Sequence, residues 1–407
     1  MDVAEEFVKA CGELSHLTER ICGVSVVDAY FGPPELSPER QEASVDGQTL
    51  SSRLEEIADR ALAEIGDDLR GRYLSGEARS LALLAVWLTD DSLSYQQLVR
   101  GLYGIDPRPF DEAFVEQLRD TLAELLKDYP GRDTRERVQN FQREGRVTGE
   151  KLRELIEGPL QERVSEIKQL FAERVYTRMG VSVTDNGVRY EAVRGRPWSG
   201  YNYYLGDYRS LNQFNIDRTL NRDTMMSVLY HEYEHHVSNL WREYVYRTTG
   251  HVELSVVPLH TGRCVISEGT ADCARDFLGV KVNDPRAAVT DALYALRRVV
   301  SINAALMLNV EGASREEAAG YITEYALREP EEAKASLDFI SPTTNSGRAN
   351  FWAPYVFTYY IGRAEFVLPA WRRAVERDEV RRFFRTLYLN PYSRSSVTWQ
   401  DAFGWLL

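Results

Sequence analysis

Residues 231–235 read His-Glu-Tyr-Glu-His, and here the sequence offers chemistry. On a helix, side chains at i and i+4 leave the same face, so the imidazoles of His231 and His235 can reach one cation. Glu232 sits about 100° round the helix from His231. From there it can reach a water held by the cation without ligating the cation itself, as a general base requires. The chain has six histidines in 407 residues, and three of them fall within 231–236. A solvated, charged helix face is the plainer reading of the same residues. The preceding Met225, Met226, Val228, Leu229 and Tyr230 argue against it, because they mark the helix as buried. Buried polar groups need partners, and one Zn²⁺ would supply them. Asn221 or Asp223 can cap the N-terminus of this helix.

Catalytic zinc takes a third protein ligand and keeps one position open. Residues 266–279 suggest a second helix stopped by Gly279, with Glu268 and Asp272 four apart on one face. Glu268 can ligate the metal. Asp272 can accept the second N–H of a ligand histidine and so fix its tautomer. The plainer reading of Glu268 is a first-turn acid favoured by the helix dipole. His251 and His260 are competing ligands. His236 should face elsewhere, as a supporting or packing residue. Cys264 and Cys273 are expected to be small buried hydrophobes rather than thiolate ligands.

The elements that must position these residues read as mainly helical. Apolar residues recur at helical spacing over 50–74, 77–88, 111–127, 149–157, 160–178, 285–309, 314–327, 331–338, 352–375 and 377–388. Ser314 with Glu317 forms a candidate capping box. From Val181 to Ile216 the pattern turns β-branched, aromatic and alternating. Asn186-Gly187 suits a tight hairpin turn, and Gly206-Asp207 is a second turn signal. The expected fold is therefore mainly α: a large multi-helical body with a small, mostly antiparallel sheet near the histidine helix. One catalytic domain is expected, in two helical subregions around a cleft, about 1–179 and 180–407. Loops are expected at 31–49 and 341–350.

Composition narrows the partners. There are 49 basic and 62 acidic residues, a formal net charge of −13, which makes general binding to nucleic acid or an anionic membrane unfavourable. The first ten residues show no secretory pattern, and no stretch approaches the ~18 apolar residues of a membrane span. Four cysteines without CxxC spacing read as reduced thiols, so a cytoplasmic location is expected.

HExxH followed on a later helix by ExxxD resembles the gluzincin metallopeptidases. The resemblance covers about residues 200–280. The mostly helical body is similar to the helical branch that includes the oligopeptidase–neurolysin and carboxypeptidase Taq groups. It implies one zinc on His231, His235 and Glu268, with Glu232 as base and Asp272 orienting a histidine. It also implies that an edge strand beside the zinc helix binds extended substrate. Tyr208 to Asn215, including Arg209 and Asn212, is the first candidate strand and Tyr201 to Leu205 the second. In the helical branch a C-terminal tyrosine or histidine often stabilises the oxyanion, and Tyr355 and Tyr359 are the candidates here. Arg348 and Arg363 bracket them and could clamp a substrate carboxylate. An aromatic stripe at this spacing is also ordinary core.

The expected function is zinc-dependent hydrolysis of peptide bonds, with short peptides as substrates. A zinc hydrolase of other esters or amides is the alternative, because such a site does not identify the acyl group. A non-catalytic zinc-stabilised binding protein is the third reading. It requires a fourth protein ligand, such as Cys264, Cys273 or His236.

Overall fold

Asn221 accepts a hydrogen bond from the backbone N–H of Thr224 at 3.0 Å and starts the helix Arg222–Thr249, which carries both cation-ready histidines. Asp223, the other candidate cap, is taken up by an ion pair with Arg286 at 2.7 Å. Gly250, at φ +73°, ends the helix. The computed structural model describes residues 2–41, 46–90, 93–196, 199–344 and 347–407. Residues 42–45 and 345–346, parts of the two expected loops, lie outside the described residues.

The fold is mainly α. Long helices span Val3–Cys22, Leu69–Trp87, Arg222–Thr249 and Pro285–Asn309, with shorter ones between. The capping box of Ser314 and Glu317 is formed. The expected helix over 50–74 is interrupted, because Gly66 adopts φ +127° and Asp68 caps a new helix at Leu69. Val3–Cys22 lies outside every helix read from periodicity, although Phe7, Cys11, Leu14 and Leu17 are all buried along it.

The strands are short: β1 Val27–Tyr30, β2 Arg146–Val147, β3 Gly187–Val193, β4 Gly200–Tyr204, β5 Arg209–Asn215, β6 Leu220–Asn221 and β7 Val256–Pro258. Pairs β1–β7, β2–β6 and β4–β5 are antiparallel, whereas β3–β5 is parallel. The three-stranded sheet has the order β3-β5-β4, so β5 is its centre. Gly206-Asp207 does turn the β4–β5 hairpin. Gly206, Asp207 and Tyr208 all have positive φ, and the buried Glu243 carboxylate accepts the N–H groups of Asp207 and Tyr208 at 3.0 and 3.1 Å. Asn186-Gly187 turns no hairpin. Asp185 accepts the N–H of Gly187 at 2.7 Å, and Asn186 bonds to the backbone of Asp207 and Tyr208, so the chain enters β3 from a coil.

Among the described residues two large hydrophobic cores and a small cluster of Tyr73, Val245, Leu254 and Tyr392 fill the body, and both large cores combine residues from before and after position 179. One joins the helices before residue 142 to parts of 256–265 and 289–361. The other joins 152–179, the histidine helix and the helices after residue 366. Helix Gly262–Asp272 contributes to both, through Cys264 and Val265 on one side and Ile266 on the other.

Candidate metal centre

The histidine helix and helix Gly262–Asp272 pack together and bring the two motifs face to face. His231, His235 and Glu268 present ligand atoms that all lie within 4.8 Å of one another. The Nε2 atoms of His231 and His235 are 3.0 Å apart, and Glu268 Oε2 is 3.3 Å from the first and 3.7 Å from the second. Ligand atoms about 2.0–2.2 Å from a tetrahedral zinc lie about 3.3 Å apart, so the three donors have the right spacing. Glu268 Oε2 is buried and has no hydrogen-bond partner. The donor set therefore fits zinc: an acceptor oxygen and two ring nitrogens converge, with no donor aligned on the oxygen.

The surroundings fix the tautomers. His231 Nδ1 lies 2.7 Å from Asp272 Oδ1, so an Nδ1–H donates there and Nε2 keeps its lone pair for a cation. The other oxygen of Asp272 pairs with Arg298. His235 Nδ1 faces Ser267 Oγ at 3.3 Å. Burial alone would lower the pKa of His231, but its hydrogen bond to Asp272 and the charges of Asp272 and Glu268 hold it well above the usual value. Burial would raise Glu268, and the two histidines instead draw it well below the carboxylate range. These shifts express a strong mutual demand for opposite charge.

No fourth histidine or thiol joins the set among the described residues. His236 turns to the far side, where Asp185 and Ser210 hold it at 3.1 and 2.9 Å. His251 bonds Tyr392 and His260 bonds Tyr103, at 2.8 and 2.6 Å. Cys264 and Cys273 are buried free thiols. Glu234, the other acid of the motif, is buried against Tyr388 and Ser238.

A cavity of about 330 Å³ opens beside the cluster. Glu232, His235 and Glu268 line it. The Glu232 carboxylate makes no hydrogen bond or ion pair among the described residues. The two tyrosines have separate positions. Tyr355 donates to Glu268 Oε1 at 3.0 Å. Tyr359 faces the cavity with a hydroxyl that makes no hydrogen bond among the described residues, and Arg298 lies 4.7 Å over its ring. Burial raises both phenols well above their usual pKa, so both stay protonated.

The expected substrate residues are only partly brought here. Asn212 lines the cavity. Tyr208 and Arg209 do not, because the turn carries them away and Tyr208 packs against Arg247. Strand β5 is paired on both sides and offers no edge; β4, the second candidate, has the free edge and lines the cavity. Arg348 is exposed on a loop and away from the cavity. Arg363 faces a neighbouring cavity behind Asp272, tied to Asp276 at 2.8 Å and to the Asp272 carbonyl at 2.5 Å. Tyr201, from the second candidate strand, and Asp28 also line the cavity, whereas sequence reasoning missed Arg298, Ser267 and Arg263. Of these, only Ser267 carried a sequence cue, as the immediate neighbour of Glu268.

No protein-family model and no curated protein matches the chain. Among solved structures, a Colwellia psychrerythraea protein described provisionally as a lipoprotein is similar, with a TM-score of 0.53 and 16% identity. The match covers 88% of this chain, which spans about 60% of that protein's length. A Shewanella oneidensis protein, also described provisionally as a lipoprotein and of unknown function, gives a TM-score of 0.47 at 13% identity, over 86% of this chain and 70% of its own. The Colwellia likeness concerns the fold alone. Among the described residues no helix is long and apolar enough to cross a membrane.

Proposed function

We propose that the chain is a zinc-dependent hydrolase of peptide bonds. The observation that carries this reading is the convergence of His231, His235 and Glu268, the last two on a cavity that the unpaired Glu232 carboxylate also lines. When bound, zinc supplies Lewis-acid polarisation of the scissile carbonyl and acidifies water in its open position. The chain's own residues do the remainder. Glu232 takes the proton of the attacking water and returns it to the leaving amine. Asp272 holds the His231 ring so that Nε2 faces the cation site. Tyr355 orients Glu268 through Oε1. Tyr359, kept protonated by burial, donates its phenolic hydrogen to the oxygen on which charge develops.

Peptide is favoured over other acyl substrates by β4. It is an outer strand of the sheet and lines the cavity, so it can pair with an extended main chain. The test is Glu232→Gln. This variant should bind zinc as the parent does, by elemental analysis, and lose at least about a hundredfold in peptide turnover. Unchanged turnover in a clean preparation would reject the mechanism. An ester panel hydrolysed faster than any peptide would move the reading to the other acyl substrates.

We also propose a cytoplasmic location, supported by four cysteines that form no disulfide. The Colwellia neighbour's description as a lipoprotein is the rival reading. Recovery of the protein in the envelope fraction of its native cells would overturn a cytoplasmic placement.

A further inference from the structure

Hydrolysis as just described leaves one charge in the cavity without a task. Arg263 stands five residues before Glu268 on the same helix and lines the same cavity. Its side chain is nine-tenths buried. Nη2 donates to the Pro258 carbonyl at 2.8 Å and lies 3.8 Å from the Cys264 sulfur, while Nε has no partner. No carboxylate stands within ion-pair distance of it among the described residues. Asp28 and Glu77 are the nearest acids. Asp28 Oδ1 is held by Tyr201 at 3.2 Å, and Glu77 Oε1 accepts the backbone N–H of Arg263 at 3.3 Å.

Two other arginines packed in the interior are satisfied. Arg298 pairs with Asp272, and Arg242 donates to the carbonyls of Leu254, Glu253 and Val256. A guanidinium stays charged in a protein, and burying one without a counter-charge is costly. A site that tolerates this cost is prepared for an anion. Asn239, one turn beyond His235, opens onto the same cavity and makes no hydrogen bond among the described residues. Asn212 is buried in the lining of the same cavity with a side-chain oxygen that lacks a donor.

We infer that Arg263 and Asn239 form a carboxylate subsite, and that the substrate is a short peptide whose free C-terminal carboxylate is bound there. This rests on the peptidase reading of the same cavity. Guanidinium and carboxylate match through paired N–H···O bonds, and Asn212 Oδ1 can accept a main-chain N–H of the same ligand. Five helical residues advance about 7.5 Å, roughly the reach of two extended residues. The subsite therefore sets cleavage one or two residues from the C-terminus. It takes the place of the clamp expected from Arg348 and Arg363.

The test uses the full chain carrying Glu232→Gln, loaded with zinc so that peptides bind without turnover. Titration calorimetry compares N-acetyl-Phe-Ala with its C-terminal amide. With Arg263 in place, the acid should bind at least about tenfold tighter than the amide. Arg263→Met should erase that preference and leave the amide within twofold. Equal binding of acid and amide overturns the inference, as does a preference that survives Arg263→Met, or binding of neither at millimolar concentration. The acid–amide comparison needs no Arg263 variant, so misfolding of Arg263→Met does not shelter the proposal. Asn239→Ala should reduce the preference severalfold. The two readings can fail separately. Parent protein that cleaves no peptide but still selects the acid through Arg263 rejects the peptidase and keeps the subsite. Parent protein that cleaves amidated peptides as fast as free acids keeps the peptidase and rejects the subsite.

Discussion

Asp272 meets two demands at once: one oxygen orients His231 and the other neutralises Arg298. Asp272→Asn keeps the volume but not the charge. Zinc affinity should fall about 10–100-fold, measured by competition with a chromophoric chelator. An affinity within twofold of the parent would reject the orienting role. Tyr359→Phe should lower kcat about 10²–10³-fold with KM nearly unchanged, as expected for a donor used only in the transition state. Tyr355→Phe should instead weaken zinc binding, because its hydroxyl holds Glu268. A Tyr359→Phe enzyme of normal kcat would remove that residue from the chemistry. The convergence of His231 and His235 with Glu268 and Asp272 was legible in the sequence because each pair lies one turn apart on its own helix, and spacing alone then fixes their common face. Arg298 and Arg263 were not, since tertiary packing alone brings Arg298 to Asp272 and leaves the Arg263 guanidinium without an ion-pair contact among the described residues.

The helices that carry the glutamate and the tyrosines meet almost backbone to backbone. A Cβ on Gly362 would fall 2.0 Å from the Val265 carbonyl oxygen, and one on Gly269 would fall 2.3 Å from the Gly362 carbonyl carbon. Neither neighbour is a flexible side chain, so relief requires the helices to separate. Gly362→Ala should cost about 1–3 kcal/mol in denaturant unfolding and reduce turnover by shifting Tyr355 and Tyr359 relative to Glu268. A variant as stable and as active as the parent would refute this close contact. Just after the tyrosines, Gly362–Val367 widens into a π-turn within the continuous helix. At this scale the sequence revealed helix positions from apolar periodicity but not sheet order. The alternation in Arg209–Asn215 marks a strand, and nothing in it distinguishes a centre from an edge. The parallel β3–β5 pairing likewise depends on Asp185, whose two oxygens meet His236, Tyr233 and the N–H of Gly187 rather than closing a local hairpin.

On the scale of the whole molecule, the candidate metal site lies where two large apolar cores meet, and each core is built from side chains other than its three donors. Removing zinc with a chelator should lower Tm by several degrees and leave the far-ultraviolet helical signal intact; its collapse would make the metal structural. Acid should act through His260, which is buried, takes the Tyr103 hydroxyl at Nδ1, and is pushed down to about 3 by desolvation. Unfolded chain binds that proton near pH 6.5, whereas folded protein refuses it until about pH 3. The contribution is complete above pH 6.5 and is lost as pH falls towards 3, with a slope of up to about 1.4 kcal/mol per pH unit. His260→Asn should flatten the acid limb of a stability–pH curve in that window; an unchanged slope would assign the acid sensitivity elsewhere.

The interleaving of the two cores also has a consequence in time. The Tyr95 hydroxyl reaches the Ala353 carbonyl at 2.7 Å, and Arg72 reaches Asp401 at 2.9 Å, so early helices close on late ones as well as on each other. Ribosomes add about 5–20 residues per second, so the histidine pair is made about 6–24 s before Tyr355. During that interval Tyr355, Tyr359 and the C-terminal helices that enclose the histidine helix have yet to be synthesised. The candidate metal site therefore acquires its tyrosines well after its histidines have been added to the growing chain.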